Sequence, residues 1–180
     1  MSMARPFFTI GHSTRTVGAF VDLLNDAGVR LVVDVRTVPR SRTNPQYNAD
    51  ALADALTERK IGYAHLAALG GLRGRAKDVP AAVNGFWQNR SFHNYADYAM
   101  GDGFRSGMTR LRALGRDTEC AIMCAEAVWW RCHRRIIADY LIAGGETVFH
   151  ILGPNHVEPA RMTDAAKPGP AGALIYPADA

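Results

Sequence analysis

Long apolar runs are missing from this chain: none approaches the ~20 residues that a helix needs to cross a bilayer, so no membrane partner is expected. A leader is missing too. The opening Met1-Ser2-Met3-Ala4-Arg5-Pro6 has no apolar stretch and no cleavage-type site behind it, which argues against secretion. Cysteine is scarce. Three thiols, an odd number, in a 180-residue chain that needs no covalent staples fit a reducing cytoplasm. No charge sign dominates: 21 Lys and Arg stand against 17 Asp and Glu, and a net +4 permits anionic partners without requiring nucleic acid. No internal repeat is found. What is left is ordinary globular composition, 48% apolar and 21% charged, at a length that suits one compact domain and is short for two.

The pattern of what is present is α/β. Phe7-Phe8-Thr9-Ile10 is an apolar run broken by Gly11-His12-Ser13, a buried strand entering a tight turn. Thr14 or Thr16 caps a helix with Val17, Phe20, Val21, Leu24 and Ala27 at helical spacing, and Gly28 ends it. Residues 29–35 are rich in β-branched side chains and read as a central parallel strand, which completes a βαβ unit. A loop fixed by Pro39 and Pro45 and carrying Arg36, Arg40 and Arg42 follows. Asn48 then caps a helix to about Lys60, and residues 61–66 form a third strand leading into the basic, glycine-rich loop 69–75. Residues 78–94 show little periodicity and are expected to be irregular, with Phe86, Trp87 and Phe92 packing back onto the body.

Phe104, Met108, Leu111 and Leu114 mark a helix ended by Gly115. Residues 120–124 make the fourth strand, Ile136, Ile137, Tyr140 and Leu141 the buried stripe of the next helix, and residues 147–152 the fifth strand. The expected fold is a single three-layer α/β domain over residues 1–152, with a mostly parallel central sheet of about five strands and helices on both faces. Residues 153–180, rich in Pro, Gly and Ala, read as an extended C-terminal tail.

Parallel strands would deliver His12 and Ser13, Asp34 and Arg36, His65, Cys124 and Glu126, and His150 to one edge, where open α/β sheets bind ligands. Residues 119–135 concentrate the chemistry, with all three cysteines, Glu126, Trp129, Trp130 and an Arg-Cys-His-Arg-Arg cluster. A thiol at a strand end, near a helix N-terminus and several arginines, is expected to have its pKa lowered, and the thiolate is the reactive form. That points to Cys124; Arg131 and Arg134 would hold an anion, and Glu126 would orient an arginine or exchange a proton. A buried thiol under a salt-bridged loop is the structural alternative. Asp34 equally suits bracing a loop by pairing with an arginine, His12 a hydrogen-bonded structural role, and Cys120 a small buried hydrophobe. The phosphatase spacing Cys-x5-Arg is absent, since Arg131 lies one residue too far from Cys124. A zinc site fares no better: four residues along a strand at ~3.3 Å each separate Cys120 from Cys124 too widely. No metal and no cofactor are expected.

Thr9-Ile10-Gly11-His12-Ser13, Val33-Asp34-Val35-Arg36 with Pro39 and Ser41-Arg42 behind it, Leu69-Gly70-Gly71, Met123-Cys124-Ala125-Glu126 and Cys132-His133-Arg134 occur in this order. Together they resemble the DUF488 family of mostly bacterial proteins, over residues 8 to about 151. The resemblance implies a single α/β domain and marks Cys124, Glu126, Cys132, His133 and Arg134 as family-pattern positions. It implies no activity. The Asp-Val-Arg element also resembles that of rhodanese domains, whose catalytic cysteine loop is not reproduced.

The leading expectation is an enzyme acting on a phosphate-bearing small molecule, a nucleotide or nucleic-acid component. Cys124, Glu126 and His12 would react, Arg36, Arg40, Arg131 and Arg134 would bind the anion, and Ser13, Asp34, Cys132 and His133 would support them. Two other classes stay open. A non-catalytic nucleic-acid-binding module would use the same arginines with Trp129 or Trp130 for stacking. A thiol redox protein would cycle Cys124 and Cys132 through a disulfide.

Overall fold

The computed structural model describes residues 4–179. Residues 1–3, on which part of the leader reading falls, and residue 180 of the tail lie outside them. Strands β1 (Phe7–Gly11), β2 (Leu31–Asp34), β3 (Gly62–His65), β4 (Cys120–Cys124), β5 (Val148–Gly153) and β6 (His156–Pro159) make one sheet in the order β3-β2-β4-β1-β5-β6. The first five run parallel, and β6 closes the edge antiparallel to β5.

Alternation along the strands sorts the core into two halves. From β4, Ala121 and Met123 face helices α1 (Val17–Asp26) and α2 (Ala49–Glu58), where they meet Phe20, Leu24, Leu52 and Leu56. Cys120, Ile122 and Cys124 face the opposite way, towards α3 (Arg90–Tyr98), α4 (Asp102–Asp117) and α5 (Arg134–Ala143), among Tyr95, Phe104, Leu111 and Ile137. The domain therefore has three layers. From β1 the chain crosses by α1 to β2 on one side of the sheet, and from β4 it crosses by α5 to β5 on the other. Strand order reverses between β1 and β4, which puts the switch point where Gly11 pairs with Cys124.

The sheet holds one strand more than the sequence pattern predicts, and helix α3 occupies part of the stretch expected to be irregular. Asn89 starts that helix, its Oδ1 accepting the N–H groups of Ser91 and Phe92. Helix α4 runs through Gly115 instead of ending there. That glycine serves packing, since a Cβ would overlap the Phe7 ring.

The sheet also continues past residue 152, through β6, and the remaining tail packs onto the body. Strands β7 (Lys167–Pro168) and β8 (Leu174–Ile175) form a small antiparallel ribbon. Next to it Tyr176 is fully buried and donates its hydroxyl hydrogen bond to Asp139 of α5. Burial pushes the Asp139 carboxyl above its ordinary range, against the hydrogen bonds of Thr163 and Tyr176. Single anchoring side chains of this kind leave no periodic signature in the sequence.

Candidate functional site

At the carboxyl end of β2, Asp34 and Arg36 form a buried ion pair, with Nη2 2.7 Å from Oδ2 and Nε 3.0 Å from Oδ1. Arg36 Nη2 also donates to the carbonyl of Tyr47, and the Tyr63 hydroxyl donates to Asp34. The guanidinium charge is thus neutralised inside the protein, and Arg36 braces the loop 36–47 instead of presenting an open anion site.

His12 is likewise engaged on both sides. Its Nδ1 donates to the Ser13 carbonyl, Nε2 faces Arg36 Nη1 at 3.4 Å, and the ring stacks on Tyr47 with centroids 4.1 Å apart. Burial lowers its pKa, so the ring is neutral, with both nitrogens turned to protein groups. Ser13 adopts a positive φ of 50° and donates its N–H to the Ala125 carbonyl, tying the two switch-point loops together.

The chemistry gathers around Arg134, the first residue of α5. Cys124 Sγ at the end of β4 and Cys132 Sγ just before α5 lie 2.6 Å apart. Arg134 Nε reaches both, at 3.1 Å and 3.3 Å; Nη1 donates to Thr9 Oγ1 and Nη2 to the Glu126 carbonyl at 2.7 Å. Thr9 Oγ1, accepting from Arg134, is also hydrogen-bonded to His150 Nδ1 at 2.7 Å. The side chain of Arg134 is only 1% exposed, and among the described residues no carboxylate pairs with it. A guanidinium is always protonated, and a buried charge without a counter-ion is costly. The sulfurs are the acids in contact with it. The pair therefore shares one negative charge.

Cys132 is the sulfur that holds it. Burial opposes ionisation there, but the hydrogen bond from Cys124, the His133 imidazole and Arg134 outweigh it and hold the thiol well below its usual range. The N–H of Arg134, at the helix N-terminus, also donates to Cys132 Sγ. Burial pushes the Cys124 thiol up, and so does its bond to the already charged Cys132; Arg134 offsets only part of this. The sequence expectation of a lowered pKa thus falls on the wrong cysteine of the pair. Cys120, buried in the sheet, is pushed up to about 12 by burial and the neighbouring carboxylates, in keeping with its expected role as a hydrophobe.

His133 completes the group. Its Nε2 donates to the Val35 carbonyl at 2.8 Å, which leaves Nδ1 turned towards Cys132 Sγ at 3.5 Å. Glycines make this closeness possible. A Cβ on Gly11 would overlap the Glu126 carbonyl that Arg134 binds, and one on Gly71 would come within 2.6 Å of His133 Nδ1.

Above the sulfurs lies a cavity of about 460 Å³, lined by Arg36, Thr37, Val38, Arg40, Gly71, Leu72, Ser91, Phe92, Arg131 and His133 together with Cys124 to Glu126 and Cys132. Of the four arginines expected to bind an anion, Arg40 and Arg131 are exposed at this cavity with no side-chain partner among the described residues, whereas Arg36 and Arg134 are buried and engaged. Glu126 is exposed at the same wall. Trp129 stacks on His150 at 4.5 Å and donates to Glu158, so it shelters the loop; Trp130 is 45% exposed. Among the described residues no group of three His, Cys, Asp or Glu side chains is arranged to hold a metal. Thr9 and Val35 are the positions that sequence reasoning missed. Both act through atoms whose role depends on strands brought together from distant parts of the chain.

These features define a class: a doubly wound α/β domain with a buried dithiol and an arginine counter-ion at its switch point. The chain belongs to the DUF488 family, a domain of unknown function, whose profile matches residues 16–141. Comparisons with curated proteins and with solved structures returned no match.

Proposed function

We propose that this chain is a thiol redox enzyme in which Cys124 and Cys132 alternate between a thiol–thiolate pair and a disulfide. The observation that carries the reading is the sulfur–sulfur contact held by a buried Arg134 that has no carboxylate partner among the described residues. Activated thiols sit in electropositive surroundings of this kind, whereas structural buried cysteines do not.

In this reading the Cys132 thiolate attacks one sulfur of a substrate disulfide, and the first half leaves as a thiolate. Cys132 is then neutral and Arg134 lacks its counter-ion, so the guanidinium stabilises ionisation of Cys124. The Cys124 sulfur attacks Cys132 Sγ, and the second half leaves as a thiol, taking up the proton that Cys124 releases. The pair has lost two electrons and the substrate has gained two; a dithiol reductant returns the pair to its starting state.

Intact-mass analysis after treatment with a small disulfide tests this. Wild type should form the Cys124–Cys132 disulfide with Cys120 free, Cys124→Ser should stop as a mixed disulfide on Cys132, and Cys132→Ser should stay unmodified. A wild-type protein that keeps three free thiols would overturn the reading. A phosphate-bearing ligand is a second reading, favoured by Arg40 and Arg131 at the cavity; slower alkylation of Cys132 in the presence of phosphate would support it.

A further inference from the structure

The cavity above the dithiol has a shape and a charge that a generic disulfide reductant does not need. Cys124 and Cys132 are only 4% and 5% exposed. A folded protein's disulfide cannot approach sulfurs so deeply set, whereas a small molecule entering a cavity of about 460 Å³ can. Part of the lining is apolar: Val38 and Leu72 are 57% and 72% exposed, and Phe92 lines the same cavity. Two guanidiniums, Arg40 and Arg131, complete it, and no side chain of the described residues pairs with either. One carboxylate, Glu126, stands against them. The site thus offers two unneutralised cations to one unneutralised anion, flanking a short apolar wall.

We propose that the substrate is a low-molecular-weight disulfide with short apolar arms ending in carboxylates, which Arg40 and Arg131 hold while the central sulfur reaches Cys132. This rests on the redox reading above. Charge complementarity at such a cleft raises the encounter rate by about 10- to 1000-fold at low salt, and arginine binds carboxylates through two parallel hydrogen bonds. Glu126 favours a substrate that also bears an ammonium group, provided the carboxylates outnumber it.

Three probes of similar size separate the possibilities: dithiodipropionate, which is anionic, bis(hydroxyethyl) disulfide, which is neutral, and cystamine, which is cationic. The rate at which the Cys124–Cys132 disulfide forms is read by quenching with acid and counting free thiols. Wild type should react with dithiodipropionate at least about tenfold faster than with cystamine at low salt, and added salt should narrow the gap. In the double variant Arg40→Gln, Arg131→Gln the rates with the anionic and cationic probes should converge. Equal rates with all three probes, or a preference that survives the double substitution, would overturn the substrate assignment and leave the redox reading standing. No disulfide with any probe would remove both.

Discussion

Arg134 has a sulfur where a buried arginine ordinarily has a carboxylate: its Nε stands 3.3 Å from Cys132 Sγ, and among the described residues no carboxylate pairs with its guanidinium. Cation and thiolate stabilise each other. Removing the charge in Arg134→Met should therefore return Cys132 to a protonated thiol at neutral pH and slow its alkylation by iodoacetamide at least about tenfold. Because Cys132 protonates when the cation is removed, no buried charge is left unpaired, and the loss in urea unfolding should be about 1–3 kcal/mol, from the hydrogen bonds no longer made to Thr9 and the Glu126 carbonyl. Arg134→Lys, which retains the charge but not the fork, should fall between wild type and Met on both measurements.

The two buried thiol environments should separate in a pH–rate profile. Alkylation of Cys132 should already be near its plateau at neutral pH, because Arg134, His133 and the Cys124 hydrogen bond keep the thiolate in place. Cys120, pushed up to about 12, should stay unmodified until the protein unfolds. Peptide mapping after timed labelling reads both. Labelling of Cys120 ahead of Cys132 would contradict the assignment of charge.

Acid should weaken the fold through the histidines. Burial, with Arg134 nearby, depresses His150 to about 3, and burial lowers His12 as well. For a base whose folded pKa lies below its unfolded value near 6.5, the unfolded chain binds more protons in that window. The stability is then whole above about pH 6.5 and is lost as pH falls towards 3, by a few kcal/mol on the order of the His150 shift. His150→Gln should flatten the slope of unfolding free energy against pH between these limits.

Arg36 and Arg40 should behave oppositely although the sequence presents them as one cluster. Asp34→Asn leaves the Arg36 guanidinium buried without its partner and should destabilise by roughly 3–5 kcal/mol. Arg40→Gln, at an exposed side chain, should stay within about 0.5 kcal/mol of wild type. Chemical denaturation of the two variants decides it.

Gly11→Ala should disturb the thiols without touching them. The added methyl displaces the Glu126 carbonyl, which accepts the hydrogen bond from Nη2 of Arg134. Slower Cys132 alkylation in a protein that keeps its helical circular dichroism is the expected result.

The α/β architecture was legible because β-branched runs and helical spacing are local signals, and the strand endings at His12, Asp34 and Cys124 fall at the switch point as the pattern predicts. The inward or outward direction of each arginine was not legible. Arg36 turns in because Asp34 two residues earlier accepts both its Nε and Nη2, and Arg134 because Thr9 and the Glu126 carbonyl receive it. Cys132 looked secondary for a similar reason. Its polar contacts come from the turn of α5 and from a histidine fixed by Val35, 98 residues away.

The place of β1 in the sheet bears on how this domain can be cut. The family profile begins at residue 16, but β1 lies before that, hydrogen-bonded between β4 and β5, and carries Thr9. A fragment trimmed to the profile would open a gap in the middle of the sheet and leave two bare, apolar strand edges, which are templates for aggregation. A minimal expressible unit has to begin ahead of Phe7 and extend beyond Tyr176, whose side chain closes over α5.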